Sequence, residues 1–409
     1  MADWSQLPKE LLGVIAKRLE SPFYRLRLRS VCSSWRSSVS SKPYKGHNTS
    51  IPLDGHVIRS SPCSSSLERH TIFLITTTQT PPNSTWLIKI EENPHGLFTL
   101  RIPLSRSSFQ RLDFATTNNN KAMIDLFNFK VVDLGHEYVL RYMEVIDNYS
   151  NAILNEAGTL GTKKVAYMCL GSEFETEGFA LLTIHVSGSF LAMFKSEDKR
   201  WSKIAYDLHS LYHDVVLFRD EFYAVDSNGR TVHVGLSSSV SLVAGRVFSG
   251  GGKKYLVESD GQLLLVDMYL SFFPDVSDDE VFYGSICNHR MWFKVYKLDW
   301  EGKRWVEVES LGDRVLFLGD DYRFSASALE LSGCKGNCIF FSNKYLNKYF
   351  YGGDGVFRDI GVCDLDNRSV KPLTDYPEYS KLFWPPPDWA VSTTSGVSIV
   401  LGVMKTLLV

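Results

Sequence analysis

Two pairs of residues have the types and the spacing of a metal site. Cys334 and Cys338 are separated by three residues, and His209 and His213 would share one face of a helix. Tetrahedral zinc needs four ligands, and no second cysteine pair accompanies the first. The segment HSLYHDVVLF lacks the glutamate of a hydrolytic zinc helix. The sequence therefore predicts a tight turn at the cysteines, a turn with exposed histidines, and no bound metal.

A glycine-rich segment, GRVFSGGGKK at residues 245–254, is the nearest approach to a phosphate-binding loop. In such a loop a lysine directly follows the second glycine, so that its ammonium and the backbone amides converge on phosphate. Gly251 stands where that lysine is needed. We predict an ordinary mobile loop between strands. Since no nucleophile elbow or kinase signature occurs either, we predict no catalytic residue and no cofactor.

Composition excludes several classes of protein. The 409 residues are 44% hydrophobic and 22% charged, as in a soluble globular protein, and the net charge is −2. The first 45 residues hold nine Lys/Arg against three Asp/Glu, so the remaining body is mildly acidic, which argues against nucleic acid as its main ligand. Seven scattered cysteines indicate reduced thiols, and we expect residence in the nucleus or the cytoplasm. The last twenty residues predict a strand or a tail, not a membrane anchor.

An apolar stripe at the N-terminus predicts a helix that must be positioned against a partner. Leu7, Leu11, Ile15 and Leu19 recur every four residues, and Pro8 suits the first turn of a helix. A second apolar set with Val31 and Trp35 follows. About forty residues have too little interior to bury all of this surface. Some of it must therefore face the rest of the chain or another protein.

The order of these residues resembles an F-box. The residues that carry the resemblance, which we predict to lie at or just beneath an adaptor interface, are Leu7, Pro8, Leu11, Leu12, Ile15, Leu19, Val31, Cys32 and Trp35. The resemblance implies docking to a Skp-type adaptor and, through it, to a cullin. The basic residues Arg25, Arg27, Arg29 and Arg36 would add steering toward an acidic adaptor. The alternatives are an ordinary helical cap on a larger domain and a DNA-binding helix-turn-helix.

From about residue 70 onward, short β-branched and aromatic runs alternate with polar turns and predict strands. Asn228-Gly229 and Asp260-Gly261 are strong hairpin signals. A weak repeat relates FLAMFKSEDKRWSKIA at 190–205 to WFKVYKLDWEGKRWVEVE at 292–309, with a last copy, lacking the tryptophan, at 364–373. Repeated antiparallel units of about fifty residues favour a β-propeller of about six or seven blades. A large β-sandwich or two stacked barrels is the alternative.

This body resembles the C-terminal KIB-type, kelch-like propeller of plant F-box proteins. The residues that carry this resemblance are SGCKGNCIFFSN at 332–343, GVCDLDNRSVKPL at 361–373 and FWPPPDWA at 383–390. From Asp388 onward the ending departs from the family's. We also predict that Trp201 and Trp305 pack between neighbouring blades, and that the acidic residues at 278–280 and 320–321 lie in solvated turns.

These observations together predict a mainly β protein, with a small all-α module before a propeller. We predict an F-box at residues 1–45, a linker at 46–68, the propeller at 69–390 and a strand or tail at 391–409. The resemblance implies a non-catalytic substrate-recognition subunit of a cullin-type (SCF) ubiquitin ligase, whose propeller binds an unassigned protein target. Two alternatives are a non-ligase scaffold and an enzyme using the propeller channel. The second would place His, Glu or Asp together on inner strands, and the sequence indicates no such cluster.

Overall fold

A computed structural model of the chain describes residues 7–18, 28–29, 31–39, 50–51, 65–77, 85–92, 98–101, 103–105, 129–144, 159–170, 178–185, 190–204, 211–247, 251–273, 288–331, 333–342 and 360–383. At the N-terminus, helix α1 spans Lys9–Arg18 and helix α2 spans Ser33–Ser38. The amide of Leu12 donates to the carbonyl of Pro8 at 3.1 Å, which places Pro8 just before the first turn, as predicted. Leu19, the predicted end of the stripe, lies outside the described residues.

The largest sheet has nine strands in the order β4-β3-β2-β5-β6-β7-β8-β9, with β1 beside β2. The strands are β1 (Ser50–Ile51), β2 (Ser65–Thr77), β3 (Thr85–Glu92), β4 (Phe98–Arg101), β5 (Phe129–Glu144), β6 (Thr159–Cys169), β7 (Phe179–Ile184), β8 (Leu191–Lys195) and β9 (Arg200–Ile204). Residues 159–165 of β6 pair with β5, whereas residues 166–169 pair with β7. This change of partner divides the sheet into unit 1 (β1–β5 with the start of β6) and unit 2 (the end of β6 with β7–β9).

Three smaller sheets follow along the chain. Unit 3 contains β10 (Tyr212–Phe218), β11 (Glu221–Asp226), β12 (Thr231–Val234) and β13 (Val240–Ala244) in sequence order. Unit 4 contains β14 (Lys253–Ser259), β15 (Gln262–Phe273), β16 (Asn288–Asp299) and β17 (Arg304–Glu307), also in sequence order. Unit 5 has the order β19-β18-β20-β21-β22, from β18 (Arg314–Leu318), β19 (Arg323–Ser327), β20 (Cys338–Ser342), β21 (Ile360–Asp364) and β22 (Ser369–Pro372). Only the β18–β20 pair is parallel among the strand pairs of the described residues.

Five hydrophobic clusters join these units into a closed ring. Each cluster takes side chains from two neighbouring units, and the pairs that illustrate them are Leu67 with Leu181, Met193 with Val215, Val225 with Leu256, Val266 with Phe341, and Phe317 with Leu74. The last pair joins unit 5 back to unit 1. Radial closure of this kind buries sheet faces that isolated sheets would leave in water. The predicted β-propeller is therefore confirmed.

The C-terminal segment of the described chain completes the closure. It contains a 3₁₀ helix (Leu373–Asp375) and a short helix α3 (Pro377–Ser380), and then reaches strand β3 of unit 1. The amide of Leu87 donates to the carbonyl of Leu382 at 2.8 Å, and the indole of Trp86 donates to the carbonyl of Phe383 at 3.2 Å. Backbone far apart in sequence thus ties the first unit to the last.

Unit length differs from the prediction. The described strands form five units, whereas a spacing of about fifty residues predicted six or seven blades. The difference arises because unit 1 contains long strands and extends over residues 50–165. This length is about twice the predicted spacing between units. Since 106–128 and 145–158 lie outside the described residues, the blade count of the whole chain stays a prediction.

The predicted repeat is a recurring hairpin at the outer edge of the units. In unit 2 Phe194 pairs with Trp201, in unit 4 Leu298 pairs with Trp305, and in unit 5 Cys363 pairs with Val370. The turns of these three hairpins each contain a left-handed basic residue, namely Lys199, Lys303 and Arg368, with φ of 49°, 47° and 49°. Trp201 and Trp305 are 104 residues apart in the sequence, and their hairpins lie two units apart along the chain. Asp260-Gly261 likewise forms the predicted two-residue turn between β14 and β15.

The predicted linker at 46–68 is partly structured. Ile51 of β1 is fully buried and packs in the cluster between units 1 and 2, and β2 begins at Ser65. These residues belong to the propeller, because their apolar side chains complete a core. The rest of the predicted linker, residues 46–49 and 52–64, lies outside the described residues, so the linker prediction is untested there.

One carboxylate joins the innermost strands of four units. Asp214 of β10 is buried, and its Oδ1 lies 2.7 Å from the Nζ of Lys164 on β6 and 3.2 Å from a guanidinium nitrogen of Arg323 on β19. Its Oδ2 accepts from the amide of Leu256 on β14 at 2.9 Å. Burial would raise the pKa of Asp214, but Arg323 and Lys164 hold it below its usual range. This hub, Asp214 with its partners, determines how the inner strands meet.

We expect Asp214→Asn to lower the free energy of unfolding by about 3–5 kcal/mol, because it leaves two cations near a group that no longer carries charge. Chemical denaturation of the full chain measures this loss. Asp220→Asn, in an exposed turn, is the matched control and should change stability by less than about 0.5 kcal/mol. Equal effects of the two variants would contradict the hub's role.

Candidate functional site

The N-terminal module has its own small interior. Leu12, Ala16, Trp35 and Val39 are buried together, and Leu7, Leu28 and Cys32 pack against them. Leu12 and Ala16 lie four residues apart on one face of α1, which is why both reach α2. These side chains form the interior of the module itself. Of the predicted adaptor contacts, Leu12 and Trp35 are therefore interior residues.

A second apolar set of the same module faces away from that interior. Leu11 is 52% exposed, Val14 45%, Ile15 40% and Val31 58%. Leu11, Val14 and Ile15 are spaced by three and four residues, so they lie on one face of α1. Pro8 is also exposed. We call Leu11, Val14, Ile15 and Val31 the exposed apolar face.

Val14 was not among the predicted contacts, although its i+3 spacing from Leu11 was a signal that could have identified it. The structure thus separates side chains that the sequence pattern left mixed. Leu19 cannot be assigned, because it lies outside the described residues.

The basic residues of the module have different environments. Arg29 donates a hydrogen bond from its guanidinium to the carbonyl of Val39, and is therefore engaged in holding the module together. Arg36 is exposed on α2. Arg25 and Arg27 lie outside the described residues. Of the two arginines that are described, Arg36 is the one open to a partner.

The axis of the propeller carries a second candidate site, which the sequence prediction missed. Asp214, Lys253 and Arg323 lie at or near the starts of strands β10, β14 and β19, and Lys164 lies in the middle of β6. These four side chains meet around the hub. With three cations around one carboxylate, this cluster differs from the grouping of His, Glu or Asp that an enzyme using the channel would require. The sequence did contain a signal for this cluster. A pair of charged or polar residues, Lys163-Lys164, His213-Asp214 or Lys253-Lys254, stands directly before an apolar run in each of β6, β10 and β14.

The prediction for His213 is corrected at this axis. His213 lies on strand β10 instead of an exposed turn, and its Nδ1 accepts from the amide of Lys254 at 3.2 Å. Burial, with the nearby Lys253 and Lys254, lowers the pKa of His213 to about 4. Lys254 is the second residue of strand β14. Its Nζ pairs with Asp267 at 2.9 Å, and both side chains are fully buried. His209 lies outside the described residues.

The two parts of the chain match known domains. Residues 4–46 match the F-box domain, and residues 64–364 match the KIB1-4 β-propeller. The chain belongs to the F-box proteins with a KIB1-4 β-propeller. The second match spans the propeller from β2 to the end of β21.

Proteins of Arabidopsis thaliana are similar to this F-box protein over nearly its whole length. F-box protein SKIP23 is 40% identical over 412 residues, which are 96% of this chain and 96% of that protein. A second Arabidopsis F-box protein is 34% identical over 418 residues, 98% of each chain. A putative F-box/kelch-repeat protein is 28% identical over 409 residues, 96% of this chain and 100% of the other.

Both tryptophans of the repeat pack between blades, as predicted for this KIB1-4 propeller. Trp201 is buried in the cluster between units 1 and 2. Trp305 packs against the cluster between units 3 and 4, and its indole donates to the carbonyl of Gly229 at 3.0 Å. Neither is an open binding anchor.

The acidic residues predicted to lie in solvated turns differ from that prediction. Asp321 is buried and Asp320 is half-buried, so the prediction that both are solvated was wrong. Residues 278–280 lie outside the described residues.

The cysteine pair forms the predicted tight turn. Asn337, between Cys334 and Cys338, has φ of 58°, and its Oδ1 accepts from the amide of Leu311 at 2.8 Å. Burial raises the pKa of Cys334 to about 12 and that of Cys338 to about 11. Burial thus keeps both thiols protonated near neutral pH.

A buried ionic cluster occupies one face of unit 1. Glu137 on β5 pairs with the Nζ of Lys89 at 3.1 Å, and the ring nitrogens of His70 lie 3.6 Å from the carboxylates of Glu68 and Glu137. Burial alone would lower the pKa of His70, but the two glutamates raise it above its ordinary 6.5. The two glutamates therefore favour the protonated form of His70.

Three residues of this cluster have the composition of a metal site. Ligand atoms of Glu68, His70 and Glu91 lie within 4.8 Å of one another. However, the guanidinium of Arg141 bridges the two carboxylates, at 2.6 Å from Glu68 and 3.0 Å from Glu91, and Arg101 also pairs with Glu91. A divalent ion would have to displace this cation, so we assign the cluster a structural role.

No helix within the described part of the chain is long and apolar enough to cross a membrane.

Leu12→Ala and Leu11→Ala separate the module's interior from its exposed apolar face. We expect Leu12→Ala to lower the module's stability by about 2–5 kcal/mol, because it creates a cavity. Leu11→Ala should change it by less than about 0.5 kcal/mol. Hydrogen exchange of amides in residues 7–39 of the full chain measures both. Similar losses of protection in the two variants would contradict the assignment.

The His70 ion pairs should make stability fall as pH rises. Because the pKa of His70 is raised in the folded state, its contribution is complete below 6.5 and is lost as pH increases through the folded value. Urea unfolding of the full chain at a series of pH values from 6.5 upward should show this loss, and His70→Gln should abolish it. His136→Gln is the control, since burial lowers the pKa of His136 to about 4 and leaves that residue neutral throughout this range. Parallel pH profiles of wild type and His70→Gln would refute the prediction.

Proposed function

We propose that this chain is the substrate-recognition subunit of a cullin-type (SCF) ubiquitin ligase, with the F-box bound to a Skp-type adaptor. The exposed apolar face carries this proposal. Leu11, Val14, Ile15 and Val31 are exposed although Leu12, Ala16, Trp35 and Val39 already complete the module's interior. Clustered apolar side chains in water are typical of a surface that another protein covers. The F-box match supports the adaptor as that protein.

The chain would act through proximity. The F-box holds the adaptor and, through it, the cullin, while the propeller holds a target protein near the site of ubiquitin transfer. Linking two binding modules raises the effective concentration of one bound partner near the other without bond chemistry by this chain. Nuclear or cytoplasmic residence belongs to the same proposal.

The environment of the axial carboxylate supports a non-catalytic role. A general base needs a free lone pair and a pKa near the working pH. Asp214 instead accepts from Lys164, Arg323 and backbone amides, and its pKa is lowered. It is thereby committed to structure. A scaffold that binds something other than a ligase remains the alternative outcome of the next experiment.

Adaptor binding should depend on the exposed apolar face. In a pull-down and a calorimetric titration with a purified plant Skp-type adaptor, we expect the full-length wild type to bind. Leu11→Asp combined with Ile15→Asp should weaken binding more than about tenfold, because it places two charges in an apolar contact. Both positions are exposed, so the variant should fold.

Leu242→Asp is the matched control. Leu242 is an exposed leucine, but it lies on the outer strand β13 of the propeller, and its substitution should leave adaptor binding unchanged. A wild type that does not bind, or a double variant that binds as well as wild type, would overturn the ligase proposal in favour of a scaffold.

A further inference from the structure

The cations at the propeller axis exceed the carboxylates that pair with them. Lys164 and Arg323 share one carboxylate, that of Asp214. Lys253 makes no ion pair among the described residues, and its Nζ reaches only the backbone carbonyl of His213, at 3.3 Å. Among the ion pairs of the described residues, Asp214 thus pairs with two of these three cations, and no carboxylate pairs with Lys253.

Arg323 has a donor that nothing in the described structure satisfies. Its side chain is only 5% exposed, and its Nε has no hydrogen-bond partner among the described residues. The guanidinium carbon lies 5.1 Å from the ring centroid of Tyr255, and the Nζ of Lys253 lies 5.9 Å from the same centroid. A buried charged donor without an acceptor is unfavourable, so this position favours a ligand that supplies an oxygen.

Repulsion between these cations disfavours the charged forms of both lysines. Burial and then the charge of Arg323 lower the pKa of Lys164 to about 8, and the same two causes lower the pKa of Lys253. An anion bound between them would relieve this repulsion.

None of the other charged groups near the axis supplies a carboxylate partner for Lys253 among the described residues. Lys254 pairs with Asp267, and Asp226 pairs with Arg230. Asp320 and Asp321, before β19, add negative charge near Tyr255 and Lys164 respectively, but neither pairs with Lys253. The side chains of Lys164 and Lys253 are only partly buried, so an anion can approach them from solvent.

We propose that Lys164, Lys253 and Arg323 form a phosphate-binding site at the propeller axis, which takes the phosphate monoester of a phosphorylated target protein. This assignment of target class rests on the receptor function proposed above. A phosphate monoester carries a charge near −2 and three acceptor oxygens, which match three cationic side chains presented by three different strands, β6, β14 and β19. A carboxylate has only two oxygens and half the charge.

Calorimetric titration of the full chain tests the site with three probes: inorganic phosphate, a capped phosphoserine and the same capped serine without phosphate. We expect both phosphate compounds to bind and capped serine not to bind. Binding of inorganic phosphate alone would overturn the assignment to a target protein, since it would indicate a site for the free ion. Absence of binding by both phosphate compounds would overturn the site itself.

Lys253→Gln locates the binding. It should weaken phosphate binding about tenfold or more, since it removes one charged hydrogen bond. Lys253 has no carboxylate partner that its loss would leave unpaired, and a thermal melt checks the fold. Lys371→Gln, the same change at an exposed position on strand β22, should leave binding unchanged. Equal affinities of Lys253→Gln and wild type would refute the site.

The two proposals fail separately. Lys253→Gln should bind the Skp-type adaptor as wild type does, and the Leu11→Asp, Ile15→Asp variant should bind phosphate as wild type does. Loss of adaptor binding alone would therefore identify an error in the receptor proposal, and loss of phosphate binding alone an error in the axial site.

Discussion

The arrangement of the propeller depends on one buried carboxylate. Asp214 lies where the inner strands of four units converge, and it accepts from Lys164, from Arg323 and from backbone amides. A carboxylate removed from water is unfavourable unless cations and donors replace its hydration. Each of those donors comes from a particular strand. The requirement to satisfy this one charge therefore restricts how units 1, 3, 4 and 5 can meet.

The ring of hydrophobic clusters explains why the helical module can offer apolar surface to a partner. The five clusters between units draw their side chains from the propeller, and the module's cluster of Leu12, Ala16, Trp35 and Val39 draws from the module alone. Neither interior uses Leu11, Val14, Ile15 or Val31. An apolar stripe on a helix is usually consumed by its own domain. Here the stripe is shared between an interior and an exposed face.

Local patterns predicted local structure well. The basic-Trp hairpins, the Asp260-Gly261 turn and the turn at Asn337 depend on few consecutive residues, because positive φ and strand pairing are decided within a hairpin. The environment of His213 was predicted wrongly, and unit 1 is longer than the predicted spacing of about fifty residues. Both depend on which distant strand lies alongside, and the signal from consecutive residues does not contain that information. The same reason explains why the axial cluster was missed: its members come from β6, β10, β14 and β19.

The sequence by itself predicted a small helical module followed by repeated β-hairpins, because the spacing of apolar residues and the hairpin turns are local properties of the chain. The family came from its resemblance to known F-box proteins. Only the tertiary structure decided which apolar residues of the module are interior and which are exposed. Leu11 and Leu12 are adjacent and chemically identical, yet helix rotation turns one to water and the other to Trp35. The tertiary structure also brought Lys164, Lys253 and Arg323 to one end of the axis. Their proximity follows from ring closure, which no single segment of the sequence encodes.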